Sequence, residues 1–133
     1  MSTRILIVDD DSQATETLAR LLTARGFTVE QVNDAKRTLN TARLFRPDVV
    51  ILDFLMPAMH GGEVAWQIAG DAELERTPAV VMLSGVPASQ FEIKLPPIRV
   101  TLLEKPVDLE HLVDLLREYE PAGEASVAAR SGR

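Results

Sequence analysis

The sequence predicts an α/β fold in which helices cover both faces of a parallel five-stranded sheet. Short runs of branched apolar residues alternate with segments whose apolar residues recur at helical spacing. Two of those runs, VVIL at 49–52 and AVVML at 79–83, are apolar at every position, as is typical of strands buried on both faces. This alternation favours parallel strands joined by right-handed helical crossovers, the doubly wound arrangement.

The first half of the chain predicts two strands, each followed by a helix. RILIV at residues 4–8 is a branched apolar run, and residues 12–25 then place apolar side chains at helical spacing. FTVEQV at residues 27–32 alternates apolar and polar side chains, as a half-exposed edge strand does. The second helix, over residues 35–45, ends before Pro47. The inner face of the first helix is predicted to contain Ala14, Leu18, Leu21 and Leu22.

The second half predicts three more strands, at residues 48–53, 79–83 and 99–103. A helix over residues 61–70 follows the third strand. Three prolines interrupt the segment between the fourth and fifth strands, so the fourth helix is expected to be shortened to about two turns around residues 88–95. The last helix, over residues 108–119, begins at a capping Asp108. It is predicted to bury Leu109, Leu112, Val113 and Leu116.

Composition places this fold in a single domain. A chain of 133 residues with 46% hydrophobic residues is long enough for one core, which we assign to residues 1–120, while the small and polar residues 121–133 predict a flexible tail. No apolar run is long enough to cross a membrane, and there is no cysteine, so the cytoplasm is the expected compartment. The net charge of −6 and the scattered arginines argue against direct binding to nucleic acid.

Acidic side chains follow two of the predicted strands. Asp9 and Asp10 come directly after the first strand, and Asp53 ends the third. In an open parallel sheet, ligands bind beyond the carboxyl ends of the strands, where the strand order reverses, so these carboxylates are expected to converge. Three like charges in one pocket need compensation, and Mg²⁺ suits a set of oxygen ligands. Asp11 is expected to be a solvated loop residue or to begin the first helix, and not to bind the ion.

The ends of the fourth and fifth strands supply a hydroxyl and a cation. Ser84 closes the fourth strand and can bond a phosphate oxygen. Lys105 follows the fifth strand, and its ammonium is expected to pair with Asp53 at the same edge of the sheet. The ends of these four strands together therefore predict a pocket for an anion and a divalent cation.

Four motifs in this order resemble the receiver domain of two-component response regulators. They are VDDD at 8–11, LDFLMPAMHGG at 52–62, LSG at 83–85 and EKP at 104–106. The resemblance extends over residues 4 to about 119. It implies a flavodoxin-like sheet with strand order 2-1-3-4-5.

The resemblance also implies a phosphorylation-dependent switch in a phosphorelay, a signalling protein and not an enzyme. Asp53 would accept a phosphoryl group from a sensor histidine kinase or a phosphotransfer protein, Ser84 would sense the phosphate and Lys105 would bind it. A downstream protein partner, or a second copy in a homodimer, would bind the face formed by the fourth helix, fifth strand and last helix. Mg²⁺ would be bound by the carboxylates of Asp9, Asp10 and Asp53 and by the Leu55 carbonyl.

Three departures from the receiver pattern concern switching and hydrolysis. Leu102 stands where receivers usually have an aromatic residue, and the shortened fourth helix lies in the same output face. Leu55 and Val86 are apolar where other receivers have polar side chains that influence hydrolysis. We therefore expect slow loss of the phosphoryl group.

Other functions remain open at this stage. A phosphatase of the haloacid dehalogenase kind would need a second acid two residues after Asp53, where this chain has Leu55. A nucleotide or flavin module would need a phosphate-binding loop after the first strand, where three acids would repel phosphate. A receiver-like docking module that binds partners without phosphorylation is the main alternative.

Overall fold

The computed structural model describes residues 2–57, 59–90 and 94–119, and within them five parallel strands form one sheet. The strand order is β2-β1-β3-β4-β5, which confirms the predicted order 2-1-3-4-5 and the α/β class. Strand β2 lies on one side of β1, and the chain then crosses back to place β3 on the other side. The direction in which strands are added therefore reverses between β1 and β3. The strands are β1 Arg4–Val8, β2 Thr28–Val32, β3 Val49–Asp53, β4 Ala79–Ser84 and β5 Val100–Glu104.

Four α-helices pack on the two faces of the sheet. They are α1 Ser12–Ala24, α2 Thr38–Phe45, α3 Gly61–Gly70 and α4 Leu109–Arg117. Asp11 caps α1, accepting bonds from the Gln13 and Ala14 N–H groups, and Asp108 caps α4, as the sequence predicted. Of the short helix expected around residues 88–95, the described residues contain a 3₁₀ turn at Ala88–Gln90. Residues 91–93 and the predicted tail at 121–133 lie outside the described residues.

Alternating side chains of the central strands divide the core into two layers. Ile5, Ile7 and Ile51 face α1 and α4, whereas Leu6 and Val50 face α2 and α3. Strands β3 and β4 are buried at every position, in agreement with the apolar runs at 49–52 and 79–83 that precede the polar Asp53 and Ser84. The central strands are therefore rigid supports for the residues that follow their carboxyl ends.

The predicted inner face of α1 was partly wrong. Leu22 is buried and Leu18 is half-buried, but Leu21 is 43% exposed and Ala14 is exposed. Each helical residue turns about 100° from the preceding one, so the face centred on Leu22 continues through Ala19 and not through Leu21. The buried residues of this helix are Thr15, Ala19 and Leu22. In α4, Leu112, Val113 and Leu116 are buried as predicted, while Leu109 is half-buried.

Candidate functional site

Three carboxylates converge beyond the carboxyl ends of β1 and β3. Val8 pairs with Leu52 in the parallel register, so the residues that follow, Asp9 and Asp53, lie side by side. One carboxylate oxygen from each of Asp9, Asp10 and Asp53 lies within 4.8 Å of the others. Asp53 is 8% exposed, whereas Asp10 is exposed to solvent. Hard oxygen donors at this spacing suit a hard divalent cation such as Mg²⁺.

Asp9 has the most perturbed electrostatic environment in this group. Burial raises the pKa of its carboxyl to about 6, opposed by the Asp11 N–H, which donates to it at 3.0 Å. The negative charge of Asp53 and a hydrogen bond with Asp10 raise the pKa further, while Lys105 lowers it. Without an ion, the pocket therefore retains a proton at mildly acidic pH.

Lys105 brings a positive charge to the same pocket. Its Nζ lies 2.6 Å from Oδ1 of Asp53, so the pairing expected from the strand ends is present. The Lys105 N–H also donates to the Ser84 carbonyl at 2.7 Å, which continues the β4–β5 pairing one residue beyond β5. The chain thus positions the ammonium through the backbone of two strands.

Ser84 is buried at the end of β4, next to the Lys105 backbone. Its hydroxyl oxygen accepts a hydrogen bond of 2.9 Å from the Val86 N–H, two residues further along the chain. The hydroxyl oxygen is therefore an acceptor within its own loop in this structure, and a serine hydroxyl can donate its own proton at the same time.

Two residues of the loop between β3 and α3, Leu55 and His60, follow Asp53 closely in the sequence. The Leu55 side chain is 62% exposed. His60 caps α3, its Nδ1 accepting a bond from the Gly62 N–H at 3.0 Å, and its ring packs edge-on against Phe54 with centroids 4.2 Å apart. His60 is half-buried in this capping position.

Gly61 lies directly against the end of β3, which carries Asp53. A Cβ at this residue would lie 2.6 Å from the Asp53 carbonyl oxygen and 2.9 Å from the Phe54 Cα. The Gly61 N–H also donates to the Phe54 carbonyl at 2.8 Å. Only a residue without a side chain fits this close backbone approach.

Sequence reasoning missed two polar residues that contact the acidic loop, Asn33 and Thr15. Asn33 follows β2 and donates from its side-chain amide to the Asp9 carbonyl and to the Thr15 hydroxyl. The available signal was the position of Asn33, one residue past an edge strand that was expected to end at Val32.

Comparison with known proteins decides the family. The family model described as the response regulator receiver domain matches residues 5–117. The chain belongs to the response regulator receiver domain family. Receiver domains of this family are signalling modules of two-component systems and not classical enzymes, and they interact with histidine kinases or phosphotransfer proteins. They generally bind Mg²⁺ at an acidic pocket, and the donor set of this receiver domain fits that ion.

Similar proteins of known sequence are longer than this receiver domain. The response regulator MprA of Mycobacterium tuberculosis is 35% identical over 133 residues, covering 97% of this chain and 57% of that protein. MprA of Mycobacterium ulcerans is 35% identical over 117 residues, covering 88% of this chain and 50% of that protein. The chain thus spans little more than half the length of these relatives.

Similar solved structures are separate receiver domains. A CheY-like receiver domain from Methylobacillus flagellatus has a TM-score of 0.80 at 27% identity and covers 90% of this chain and all of its own. The receiver domain of the hybrid histidine kinase CckA has a TM-score of 0.69 at 28% identity, covering 87% and 97% of the two chains. Among the described residues, no helix has the length and apolar character needed to span a membrane.

Proposed function

We propose that this receiver domain is a phosphorylation-dependent switch in a cytoplasmic phosphorelay, with Asp53 as the phosphoacceptor. The observation that supports Asp53 most directly is its combination of burial with the Lys105 ammonium at 2.6 Å. A carboxylate held beside an ammonium can act as a nucleophile toward phosphorus, because the cation can also neutralise charge on the phosphoryl oxygens. Asp9 and Asp10 are the neighbouring carboxylates and would serve as ion ligands instead.

The reaction transfers a phosphoryl group from a phosphohistidine to Asp53. A carboxylate oxygen of Asp53 forms a bond to phosphorus while the bond from phosphorus to the histidine nitrogen breaks, which leaves an acyl phosphate on this chain. The Lys105 ammonium stabilises the charge on the phosphoryl oxygens during transfer. Asp9, Asp10, Asp53 and the Leu55 carbonyl would hold Mg²⁺, which would further neutralise the carboxylate and phosphoryl charges. Water later hydrolyses the acyl phosphate.

Switching follows from the new charge. In this proposal the Ser84 hydroxyl leaves the Val86 N–H and donates to a phosphate oxygen, which moves the loop after β4. The face formed by the β4–β5 connection, β5 and α4 then changes its population of conformations, and a downstream protein or a second copy of the chain binds it. No direct contact with nucleic acid or membrane is part of this proposal.

Phosphorylation by a small donor tests the proposal. The protein is incubated with Mg²⁺ and acetyl phosphate and then weighed by mass spectrometry, with the Asp53→Asn variant as control. The expected result is a gain of one phosphoryl group by the wild type and none by the variant. No gain in the wild type, or an equal gain in the variant, would overturn the assignment of Asp53.

A docking module that acts without phosphorylation is the second candidate. The feature that favours it is the altered output face, where Leu102 replaces the usual aromatic residue and a 3₁₀ turn follows β4. A pull-down that compares beryllofluoride-treated protein, untreated protein and Asp53→Asn distinguishes the two. Equal capture of a partner by all three forms supports docking alone, and capture that requires beryllofluoride supports the switch.

A further inference from the structure

Asn33 lies at the junction of three segments that meet at the acidic pocket. Val32 pairs with Val8, so the next residue, Asn33, lies beside Asp9. Its Nδ2 donates to the Asp9 carbonyl at 2.9 Å and to the Thr15 hydroxyl oxygen at 2.8 Å. One side-chain amide thus connects the end of β2 to the acidic loop and to the first turn of α1.

The direction of each hydrogen bond in this network is determined by its partners. The Asp9 carbonyl is an acceptor, so the nitrogen of the Asn33 amide must face it. The Thr15 hydroxyl donates to the Ser12 carbonyl at 3.0 Å, so it accepts from Asn33. Both N–H groups of the Asn33 amide are therefore used, and Thr15, which is 1% exposed, has its hydroxyl satisfied.

These bonds fix the backbone on both sides of Asp9. The Asp9 N–H donates to the Val32 carbonyl at 3.1 Å, and the Asp9 carbonyl accepts from Asn33. The residues that follow, Asp10 and Asp11, are exposed, and the carboxylates of Asp9, Asp10 and Asp53 repel one another. Without the amide of Asn33, that repulsion would favour backbone conformations in which Asp9 and Asp10 move away from Asp53.

We propose that Asn33, supported by Thr15, is a positioning residue that preorganises the Asp9–Asp10 loop for binding a divalent cation. This inference rests on the proposed function, since it concerns the same pocket. Preorganisation improves affinity because a loop that is already ordered loses less conformational entropy when the ion binds. Loss of a hydrogen bond behind a metal ligand is expected to raise the Mg²⁺ dissociation constant roughly three- to tenfold.

Calorimetric titration of the full chain with MgCl₂ tests the inference. The variants are Asn33→Ala, which removes the amide, and Thr15→Val, which removes its hydroxyl partner at nearly constant shape. Gln31→Ala and Thr17→Val serve as matched controls, because both residues are exposed on the same strand and the same helix. Asn33→Ala is expected to weaken Mg²⁺ binding roughly three- to tenfold and Thr15→Val by a smaller factor, while both controls match the wild type. The Thr15→Ser variant keeps the hydroxyl and is expected to restore the wild-type dissociation constant.

Thermal unfolding in EDTA separates positioning from a structural role. A purely structural role would lower the melting temperature of Asn33→Ala and leave its Mg²⁺ dissociation constant within twofold of the wild type, which would overturn the inference. If Asn33→Ala does not fold, unchanged binding by Thr15→Val overturns it as well, and weakened binding supports it. A wild type that binds no Mg²⁺ overturns both this inference and the proposed function, whereas equal binding by wild type and variants overturns only the inference.

Discussion

At the scale of single residues, Lys105 is the group whose removal isolates the electrostatic contribution to the proposed phosphoryl transfer. Its ammonium contacts Asp53 at 2.6 Å, so Lys105→Ala leaves the proposed nucleophile in place and removes the neighbouring positive charge. Phosphorylation by acetyl phosphate is expected to slow by about 100-fold, as for other preorganised charge-stabilising groups. Time-resolved mass spectrometry measures the rate. Lys36→Ala, which changes an exposed lysine on a turn, is the control and is expected to match the wild type.

Asp9 predicts a pH dependence for ion binding. Its pKa is raised to about 6, mainly by burial, so the folded, ion-free protein binds a proton there that the unfolded chain releases near pH 4. Asp9 therefore favours folding of the ion-free protein at low pH, and that contribution is lost as the pH rises from about 4 to 6. Mg²⁺ competes with the same proton, so its affinity is expected to be about tenfold weaker at pH 5 than at pH 7.5.

Melting temperatures with and without Mg²⁺ at the two pH values check this expectation. The increase caused by Mg²⁺ should be clearly larger at pH 7.5 than at pH 5. An increase that is the same at both pH values would contradict a proton shared by Asp9 and the ion site.

Because Leu55 and Val86 are apolar, we expect the acyl phosphate to have a long lifetime. Leu55 lies two residues after Asp53 with its side chain 62% exposed, and the Val86 N–H donates to Ser84. Apolar side chains at these two positions cannot orient an attacking water, so Leu55→Asn or Val86→Asn is expected to speed dephosphorylation by up to about tenfold. Decay of the phosphorylated mass after removal of the donor measures the lifetime. Half-lives in both variants as long as in the wild type would refute the explanation.

At the scale of secondary structure elements, the start of α3 is packed against the end of β3. A methyl group at Gly61 would lie 2.6 Å from the Asp53 carbonyl oxygen, and backbone atoms cannot move away as a flexible side chain can. Gly61→Ala is therefore expected to lower the free energy of unfolding by about 1–3 kcal/mol and to displace the Asp53 backbone. Gly70→Ala is the matched control, because it lies in the same helix and a Cβ there meets no atom within 4 Å. Urea denaturation of both variants measures the difference.

The elements show which parts of this receiver domain the sequence could predict. The doubly wound class and the pocket acids followed from apolar runs with polar residues at their carboxyl ends, because every parallel strand delivers its last residue to the same edge of the sheet. The strand order itself was implied by the resemblance of the four motifs to receiver domains. The role of Asn33 could not be predicted, since the partners of a loop amide depend on the register of β2. The capping role of His60 depends on the local path of the β3–α3 loop. Leu21 shows that helical spacing alone leaves the centre of a buried face uncertain by one residue.

At the scale of the whole molecule, the carboxyl edge of the sheet, where the strands end, differs in chemistry from the amino edge, where they begin. The carboxyl edge carries acids around Lys105. The amino edge carries arginines around a cavity of about 310 Å³, which is lined by Arg4, Arg43, Arg46 and Arg76. Acids pair with three of these arginines: Arg43 with Asp71, Arg76 with Asp48, and Arg46 with Glu75. Arg43 lowers the pKa of the Asp71 carboxyl by donating to it. The amino edge is therefore a neutralised network that joins the start of β1, the end of α2 and the α3–β4 connection.

Asp48 is the central acid of that network. Its substitution tests whether the stability of the fold can be changed without changing Mg²⁺ binding. The Asp48 carboxylate is 6% exposed, accepts from the Arg4 N–H at 2.7 Å and pairs with Arg76, so Asp48→Ala leaves a partly buried N–H and a half-exposed guanidinium without this partner. The free energy of unfolding is expected to fall by about 2–3 kcal/mol. Glu75→Ala removes an exposed pair with Arg46 and is expected to change it by less than about 1 kcal/mol. Because the acidic pocket lies at the opposite edge of the sheet, the Mg²⁺ dissociation constant of both variants should equal that of the wild type when measured well below their melting temperatures. Weaker Mg²⁺ binding by Asp48→Ala under those conditions would show that the two edges are energetically coupled.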